Sequence, residues 1–263
     1  MVDVDAPSLA APLAGQVLSS TQSTDVAVAD LDGDGDLDVF LTESGATGGS
    51  VYLNDGRTEF LALETESSAG DSRRAAIVMH GTGVHPNWPT VVQPLRVGLT
   101  EAGWHTLSIQ MPVLPNEAEH AAYADIYGWV PGRIDAGIRH LRDQGFQTIV
   151  LVGHSQGSTM AVYYLSRQPQ PVEGFVAVGM SGGIASGPMD TLAQLPALAV
   201  PTLDLYGSED LPEVLDSAEE RAAHARKAGG DYSQQVVAGA DHFFDGEEAE
   251  LLEAVNAWLA TRY

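Results

Sequence analysis

The sequence predicts an α/β fold in which a mostly parallel sheet is flanked by helices and preceded by a small β segment with an acidic loop. Between residues 75 and 260, short apolar runs alternate with longer amphipathic stretches, as in repeated βαβ units. Residues 1–60 instead are rich in Asp, Gly, Ser and Thr and lack helical periodicity. We therefore predict an N-terminal β segment over residues 1–60 and an α/β domain over residues 61–263.

The elements of the second part follow one another in a regular order. Helix 133–144 is entered through Pro131 and ends at Gly145, a pairing typical of helix termini. Segments 111–130 and 180–200 interrupt the alternation, and we predict that they form pocket walls or a small lid. The sequence predicts strands at 75–79, 106–110, 148–152, 175–178, 202–206 and 232–237, and helices at 90–102, 133–144, 155–167, 212–228 and 247–260.

The charge balance is strongly acidic, with 36 Asp and Glu residues against 12 Lys and Arg residues and a net charge of −24. A field of this sign repels nucleic acid and anionic lipid, so we expect neither as a partner. Salt screens such self-repulsion, and we expect the protein to tolerate molar salt. Cysteine is absent, which excludes disulfides, thiolate metal sites and a cysteine nucleophile. The N-terminus has no basic stretch followed by an apolar run, so we predict no signal peptide in this chain.

A nucleophile motif, G-x-S-x-G, is formed by GHSQG at residues 153–157. In this motif the serine lies on a strained turn between a strand and a helix, and the small residues let the backbones pass closely. GMSGG at residues 179–183 matches the same pattern but leads into Pro188 rather than into a continuous helix. We therefore predict that Ser155, and not Ser181, is the nucleophile.

The acid and the histidine of a serine-hydrolase triad follow the nucleophile in the order Ser, acid, His, each on a loop after a later strand. Asp210 follows the strand predicted at 202–206, and His242 follows the strand predicted at 232–237. Glu209 and Asp204 compete with Asp210 for the role of the acid, and Asp210 could instead cap the next helix. The sequence predicts Ser155, His242 and Asp210 as the catalytic residues.

An oxyanion hole needs two N–H donors. One comes from the residue after the nucleophile, Gln156, and the second comes from the loop after the first strand of the domain, here HGTG at residues 80–83. We predict the N–H of Thr82 as the second donor, with Gly81 as the alternative. His80 and His85 are expected to be structural neighbours of this loop.

These landmarks resemble the α/β-hydrolase superfamily over about residues 60–263. More closely, IVMHGTGVHPNWP at residues 77–89 and GHSQG at residues 153–157 are similar to a group of bacterial α/β-hydrolase-like proteins of uncharacterised function. The resemblance implies the hydrolase fold and the triad but no particular substrate. A serine at the nucleophile position argues against the dehalogenases of the superfamily, which need a carboxylate there.

The acidic loop DLDGDGDLD places carboxylates at Asp30, Asp32, Asp34, Asp36 and Asp38. Alternate oxygens on a short loop can converge on one Ca²⁺ ion, which takes 6–8 oxygen ligands. Position 12 of an EF-hand frame is Leu41 instead of a bidentate Glu, which excludes that motif. With its flanking strands, the loop resembles one integrin-type (FG-GAP or VCBS-like) calcium-binding β-propeller repeat over about residues 24–60. The resemblance implies structural Ca²⁺, and it favours a secreted or extracytoplasmic location.

Taken together, these motifs predict a serine hydrolase that cleaves a small-molecule carboxylic ester without an organic cofactor. A thioesterase, amidase or peptidase would use the same three side chains. A calcium-dependent binding or adhesion module on an inactive hydrolase scaffold is the alternative from another class. A lone propeller repeat must pack on the hydrolase, associate between chains or be the remnant of a fusion, so self-association through the N-terminal segment is a further expectation. Candidate pocket residues are Trp88, Tyr123, Tyr127, Trp129 and Met180, although residues of these types more often pack in the core than contact a substrate.

Overall fold

The computed structural model describes residues 23–29, 38–43, 48–55, 58–70, 72–115, 117–168, 171–227 and 229–263. In this part of the chain the strands are β1 (Ser23–Ala29), β2 (Asp38–Glu43), β3 (Gly48–Asn54), β4 (Glu59–Thr65), β5 (Arg74–Met79), β6 (His105–Ile109), β7 (Thr148–His154), β8 (Gly174–Val178), β9 (Thr202–Gly207) and β10 (Tyr232–Val237). The α-helices are α1 (Val92–Glu101), α2 (Val130–Asp143), α3 (Gln156–Leu165), α4 (Thr191–Gln194), α5 (Pro212–Leu215), α6 (Ala218–Lys227) and α7 (Glu248–Ala260). Short 3₁₀ helices are formed by His120–Trp129, Gly187–Met189 and Leu195–Ala197.

All described strands belong to one sheet, in the order β1-β2-β3-β4-β6-β5-β7-β8-β9-β10. Strands β5 to β10 run parallel. Strands β1 to β4 form an antiparallel extension, in which β4 pairs with β6. The structure therefore confirms the predicted α/β fold with a mostly parallel sheet flanked by helices.

The core lies on both faces of the sheet, and β7 shows how the sequence divides between them. Ile149 and Leu151 belong to an apolar cluster that includes residues of α2 and α3. Val150 and Val152 belong to a second cluster with residues of α1 and α7. A strand that is buried on both faces has no alternation of apolar and polar residues, which explains the continuous apolar run that predicts this strand.

The N-terminal extension packs into the first of these clusters. Val51 and Leu53 on β3 and Phe60 and Ala62 on β4 are buried in the cluster that also contains Ile109 of β6. The predicted boundary between residues 60 and 61 thus falls inside β4, and β3 and β4 are continuous with the parallel part of the sheet through β6.

The acidic loop lies between β1 and β2, which pair antiparallel as its flanks predict. Asp30, Asp32, Asp34 and Asp36 lie outside the described residues, and Asp38 begins β2 with a side chain outside them as well. The calcium site therefore stays a prediction.

Two elements differ from the sequence prediction. Strand β4 is not anticipated, because its run EFLALET is poor in β-branched residues. The helix predicted at 212–228 is divided into α5 and α6, and the hydroxyl of Ser217 at the break donates to the carbonyl of Glu213 at 2.6 Å. Such a bond competes with the helical backbone bonds. Within the described residues, no helix combines the length and the apolar character needed to span a membrane.

Candidate active site

Ser155 lies on the sharp turn between β7 and α3. Its φ of 53° is in a region that residues with a Cβ rarely adopt, and its N–H donates to the carbonyl of Val178 at 2.8 Å. A Cβ on Gly153 would come within 2.7 Å of the N atom of Ser158, and one on Gly157 within 2.6 Å of the carbonyl oxygen of Met79. Both positions need glycine because the turn brings backbones together, as the motif predicts.

His242 and Asp210 approach Ser155 from the loops that follow β10 and β9. The Nε2 atom of His242 lies 2.9 Å from the Oγ of Ser155. The Nδ1 atom lies 2.6 Å from the Oδ1 of Asp210, whose side chain is fully buried. The N–H of Leu211 also donates to this Oδ1, at 2.7 Å. The structure thus brings together the three side chains that the sequence predicts, in the order nucleophile, base and orienting acid.

The competing candidates lie elsewhere. Asp204 forms a buried ion pair with Arg221, at 2.9 Å, and Glu209 is exposed. Ser181 lines the same cavity as Ser155, but its described hydrogen bond is the one that it accepts from the N–H of Gly183, at 3.2 Å. The geometry therefore favours Asp210 as the acid and Ser155 as the nucleophile.

The second glycine-rich match has a different use in the fold. A Cβ on Gly179 would lie 3.0 Å from the Cε1 and Nδ1 atoms of His242 and 3.5 Å from the Oδ2 atom of Asp210. Its φ of 58° is also one that glycine adopts readily. Gly179 therefore leaves room for the imidazole ring.

The predicted oxyanion donors flank the nucleophile. Gln156 is the first residue of α3, where backbone N–H groups have no acceptor within the helix. On the other side, a Cβ on Gly81 would lie 2.9 Å from the Cβ and 3.4 Å from the Oγ of Ser155. The loop that contains Gly81 and Thr82 therefore lies directly against Ser155. The Thr82 side chain is exposed, so any contribution of Thr82 would come from its N–H.

His154 holds the loop of His242, a contact that the sequence analysis missed although this residue is part of the GHSQG motif. Its Nε2–H donates to the carbonyl of His242 at 2.9 Å, and the two rings lie 5.0 Å apart. Burial, and then the nearby His242, lower the pKa of His154 to about 4. The ring is consequently neutral at neutral pH and places no second positive charge beside His242.

The sequence analysis also missed a contact between the side chains of Gln156 and Tyr127. The side-chain amide of Gln156 donates to the hydroxyl of Tyr127 at 2.8 Å, and this hydroxyl lies 2.8 Å from the Oγ1 of Thr159. Burial raises the pKa of Tyr127 to about 12. Tyr127 therefore stays a neutral hydrogen-bonding group under the nucleophile turn.

A cavity of about 220 Å³ opens next to Ser155 and His242. Its walls come from the two segments that interrupt the βα alternation and from α5. The lining residues are His120, Ser155, Gln156, Thr159, Gly179, Ser181, Gly183, Ile184, Leu211, Glu213, Val214 and His242. The five aromatic and apolar candidates for the pocket do not line it: Tyr123, Tyr127 and Met180 are core residues, and Trp88 and Trp129 lie outside the lining. Within the described residues, no group of three or more His, Asp or Glu side chains has the arrangement of a metal site.

The comparison with protein families assigns the chain. Residues 19–127 and 126–261 match the profile of a family described as "Protein of unknown function (DUF3530)". The chain belongs to the DUF3530 family. Because the match begins at residue 19, the family includes the N-terminal strands as well as the parallel part of the sheet.

This DUF3530 protein is also similar to a protein named as a lipase. It is 28% identical over 172 residues to Lipase LipV of Mycobacterium tuberculosis, over 61% of this chain. The chain spans 59% of the length of that relative.

Solved structures share the fold of this DUF3530 protein at low sequence identity. Dienelactone hydrolase from Anabaena variabilis superposes with a TM-score of 0.66 at 20% identity and covers 82% of this chain and 97% of its own. Est1E from Butyrivibrio proteoclasticus gives 0.65 at 14% identity, with 81% and 98% covered. An alpha-beta serine hydrolase homologue from Coxiella burnetii gives 0.62 at 18% identity, with 92% and 100% covered. The protein therefore has the α/β-hydrolase fold.

Proposed function

We propose that the protein is a serine esterase that cleaves carboxylic esters through an acyl-enzyme intermediate. In this proposal Ser155 attacks the ester carbonyl, and His242 accepts its proton and then donates it to the leaving alcohol. Asp210 orients the imidazole and stabilises its protonated form. The N–H groups of Gln156 and Thr82 bind the oxyanion of the tetrahedral intermediate. Water then attacks the acyl-enzyme. His242 accepts a proton from this water and donates it to the Oγ of Ser155 as the acid product leaves.

One observation carries the proposal. The contacts from Asp210 to His242 and from His242 to Ser155, at 2.6 and 2.9 Å, form a continuous line that ends at a strained turn beside an open cavity. Buried side chains that only stabilise a fold need no exit to solvent, whereas a nucleophile must face its substrate. The same observation disfavours a binding module on an inactive scaffold, because an inactive scaffold gains nothing from this alignment.

The cavity points to a small substrate. Its volume of about 220 Å³ is below the range of roughly 300–1,000 Å³ that is usual for sites of drug-sized ligands. Its lining residues include both polar ones, such as Thr159 and Ser181, and apolar ones, such as Ile184 and Leu211. We therefore expect short acyl groups to be cleaved faster than long ones.

The test is a panel of p-nitrophenyl esters from acetate to decanoate, run with the wild type, Ser155→Ala and the matched control Ser181→Ala. We expect kcat/KM to be highest for short acyl chains, to fall to background in Ser155→Ala and to remain in Ser181→Ala. Activity in Ser155→Ala together with inactive Ser181→Ala would overturn the assignment. A thioester and an anilide with the same acyl group, measured in parallel, separate an esterase from a thioesterase or an amidase.

Several sequence-based expectations remain proposals beside this one. They are a structural Ca²⁺ ion at Asp30, Asp32, Asp34, Asp36 and Asp38, tolerance of molar salt, self-association through the N-terminal strands, and an extracytoplasmic location. None of them changes the proposed chemistry, because attack, proton transfer and charge stabilisation are all assigned to groups of the protein.

A further inference from the structure

A buried histidine lies behind the proposed oxyanion loop. His80 follows β5 and is fully buried. The N–H of Met111 donates to its Nε2 atom at 2.9 Å, so this nitrogen carries no proton and the ring proton lies on Nδ1. Nδ1–H then donates to the carbonyl of Gly81 at 2.9 Å. Burial lowers the pKa of His80 to about 4, which keeps this neutral form at neutral pH.

The bond from His80 orients the peptide unit between Gly81 and Thr82. The C=O and N–H groups of a trans peptide point in opposite directions, and the described residues contain no cis peptide bond. Because the C=O of Gly81 faces His80, the N–H of Thr82 faces away from that ring. Gly81 itself lies against Ser155. His80 therefore sets the direction of the N–H group to which we assign oxyanion binding.

A second peptide unit lies on the other side of the His80 ring. The N–H of Met111 bonds to His80, and the C=O of the same peptide unit, which belongs to Gln110, accepts a bond of 2.6 Å from Arg133 on α2. The N–H of Gln110 donates to the carbonyl of Leu61 on β4 at 2.8 Å. This N–H belongs to the preceding peptide unit, so Gln110 itself is held between α2 and the N-terminal extension of the sheet.

The guanidinium of Arg133 is itself set by the N-terminal extension. Its Nε lies 3.6 Å from the Oδ2 of Asp55, and the two side chains are only 11% and 3% exposed. Its Cζ atom lies 5.2 Å from the ring centroid of Phe60 on β4. A fixed positive charge therefore lies at one end of a chain of hydrogen bonds, which runs through two peptide units and the His80 ring to Thr82.

Hydrogen bonds in such a chain polarise one another, most strongly where water is excluded. A donor that bonds to a C=O makes the N–H of the same peptide unit a better donor, and the imidazole transmits this effect from Nε2 to Nδ1. Negative charge develops beside Thr82 only when the tetrahedral intermediate forms. The chain therefore stabilises the transition state more than the bound substrate.

We propose that Arg133 is a positioning residue of the oxyanion hole, which orients and polarises the N–H of Thr82 through the Gln110–Met111 peptide, His80 and the Gly81–Thr82 peptide. This inference rests on the proposed esterase function. It assigns a catalytic purpose to strands β3 and β4, which supply Asp55, Leu61 and Phe60. The parallel part of the sheet alone contains none of these three anchors.

The first experiment compares Arg133→Gln, Arg133→Lys and the control Arg142→Gln. Arg142 lies on the same helix but pairs with Glu173 at 2.9 Å and takes no part in the hydrogen bonds that link Arg133 to Thr82. For Arg133→Gln we expect a decrease in kcat of about tenfold with KM within about twofold, which is smaller than the roughly 10²- to 10³-fold loss from removing an oxyanion donor. Arg133→Lys keeps the charge and should recover most of kcat, and Arg142→Gln should keep all of it.

A boronic acid supplies a readout that a merely structural role would not change. It forms a tetrahedral adduct with the serine and places an oxygen in the oxyanion hole, so its affinity should fall in parallel with kcat in Arg133→Gln. Unchanged kcat and unchanged boronate affinity in this variant would overturn the inference.

The second experiment uses His80→Asn alone and combined with Arg133→Lys or Arg133→Gln. The amide of Asn stands near the position of Nδ1 and can still donate to Gly81, but it breaks the link to Met111. We expect the loss in kcat to resemble that of Arg133→Gln and the double variants to lose little more, because both changes interrupt one chain. If the two losses in kcat multiply in the double variant, the two residues act independently, which would contradict the proposed series of hydrogen bonds. If Arg133→Gln does not fold, kcat and boronate affinity of His80→Asn alone test the inference, and unchanged values would overturn it.

The controls separate the two proposals. If Ser155→Ala is inactive while Arg133→Gln retains wild-type kcat, this inference alone fails. If Ser155→Ala retains activity, the proposed function fails with it.

Discussion

Two buried aspartates on and just after β9 have the same chemistry but opposite surroundings. Asp204, within the strand, accepts hydrogen bonds from Arg221 at 2.9 Å, Tyr232 at 2.5 Å and Gln234 at 3.0 Å. Asp210, six residues later and beyond the strand end, lies 2.6 Å from the Nδ1 atom of His242. Both are nearly inaccessible to solvent.

The difference lies in the partner. The guanidinium of Arg221 cannot give up its proton in a protein, so the charges around Asp204 are fixed. Burial, and then the charge of Asp204, raise the pKa of Tyr232, so the hydroxyl of Tyr232 also keeps its proton. The imidazole of His242 has one ring nitrogen that faces Asp210 and a second that lies 2.9 Å from the Oγ of Ser155, so it can relay a proton between neighbouring groups. The comparison teaches that the partner decides whether a buried carboxylate only stabilises the fold or can also support the proposed chemistry.

The largest expected effect is that of Asp210→Asn on activity. The amide favours the wrong imidazole tautomer, so kcat should fall by about 10⁴-fold while the protein stays folded. The measurement is steady-state hydrolysis of a short p-nitrophenyl ester, with circular dichroism to confirm folding. Glu209→Gln is the matched control on the same loop and should keep wild-type kcat. Equal losses of kcat in the two variants would show that the assignment of Asp210 as the acid is wrong.

Asp204→Asn should show the reverse pattern. It leaves the fully buried guanidinium of Arg221 without its countercharge, and breaking a buried ion pair in this way costs about 3–5 kcal/mol. Urea unfolding should show this decrease in the free energy of unfolding, whereas kcat of the folded variant should stay within about threefold of wild type. A loss of kcat comparable to that of Asp210→Asn would remove the distinction between the two aspartates.

Acidification should destabilise the protein through two buried histidines beside the candidate active site, His80 and His154. The pKa values of His80 and His154 are lowered to about 4, against about 6.5 in an unfolded chain. Between pH 7 and pH 5 the unfolded state therefore binds protons that the folded state does not, and stability falls with pH by about 2 kcal/mol for each histidine.

Urea unfolding at pH 7 and pH 5 measures this effect. His154→Gln should remove about half of the decrease, while Asp204→Asn, although less stable at both pH values, should show the wild-type decrease. The hydrogen bonds from His105 and His140 outweigh burial and lower the pKa of Glu64, so its contribution is lost only below the unfolded value near 4.5 and does not affect this window. A stability that is equal at the two pH values would contradict the prediction.

The smallest expected effect concerns the acidic loop from Asp30 to Asp38. If the loop from Asp30 to Asp38 binds Ca²⁺, chelation should lower Tm by a few degrees, since 1 kcal/mol corresponds to about 2–4 °C for a domain of this size. Differential scanning fluorimetry with and without EDTA measures the shift. The double variant Asp30→Ala with Asp34→Ala should have the lower Tm and no response to EDTA. Immediate loss of the esterase rate on chelation, with the fold intact, would instead give the ion a place in the active site.

The sequence predicts the parallel part of the fold well for a physical reason. Strands buried on both faces leave continuous apolar runs such as residues 148–152, and functional loops lie where those runs end, which is how Asp210 and His242 could be placed. The antiparallel extension is less visible, since β4 contains Glu and Thr and depends on its neighbours for burial. The break at Ser217 also depends on a side-chain bond that helical periodicity does not contain.

Much of the site could not be predicted because it depends on contacts between distant segments. The sequence predicts segments 111–130 and 180–200 as pocket walls, but it does not show that His120, Ile184 and Leu211 line one cavity. Tyr127 is predicted as a pocket residue but packs below Gln156. The link from Arg133 to His80 passes through backbone groups, whose partners depend on the fold and not on residue type.

The backbone of Ser155 carries a consequence for how natural selection acts on this position. A φ of 53° with ψ of −121° costs a residue with a Cβ on the order of 1–3 kcal/mol, and glycine would hold the same turn more cheaply. A chain selected only for thermal robustness would therefore drift toward glycine at position 155. A hydroxymethyl group held against that gradient is what a trade-off between stability and activity would leave at the nucleophile position that we propose.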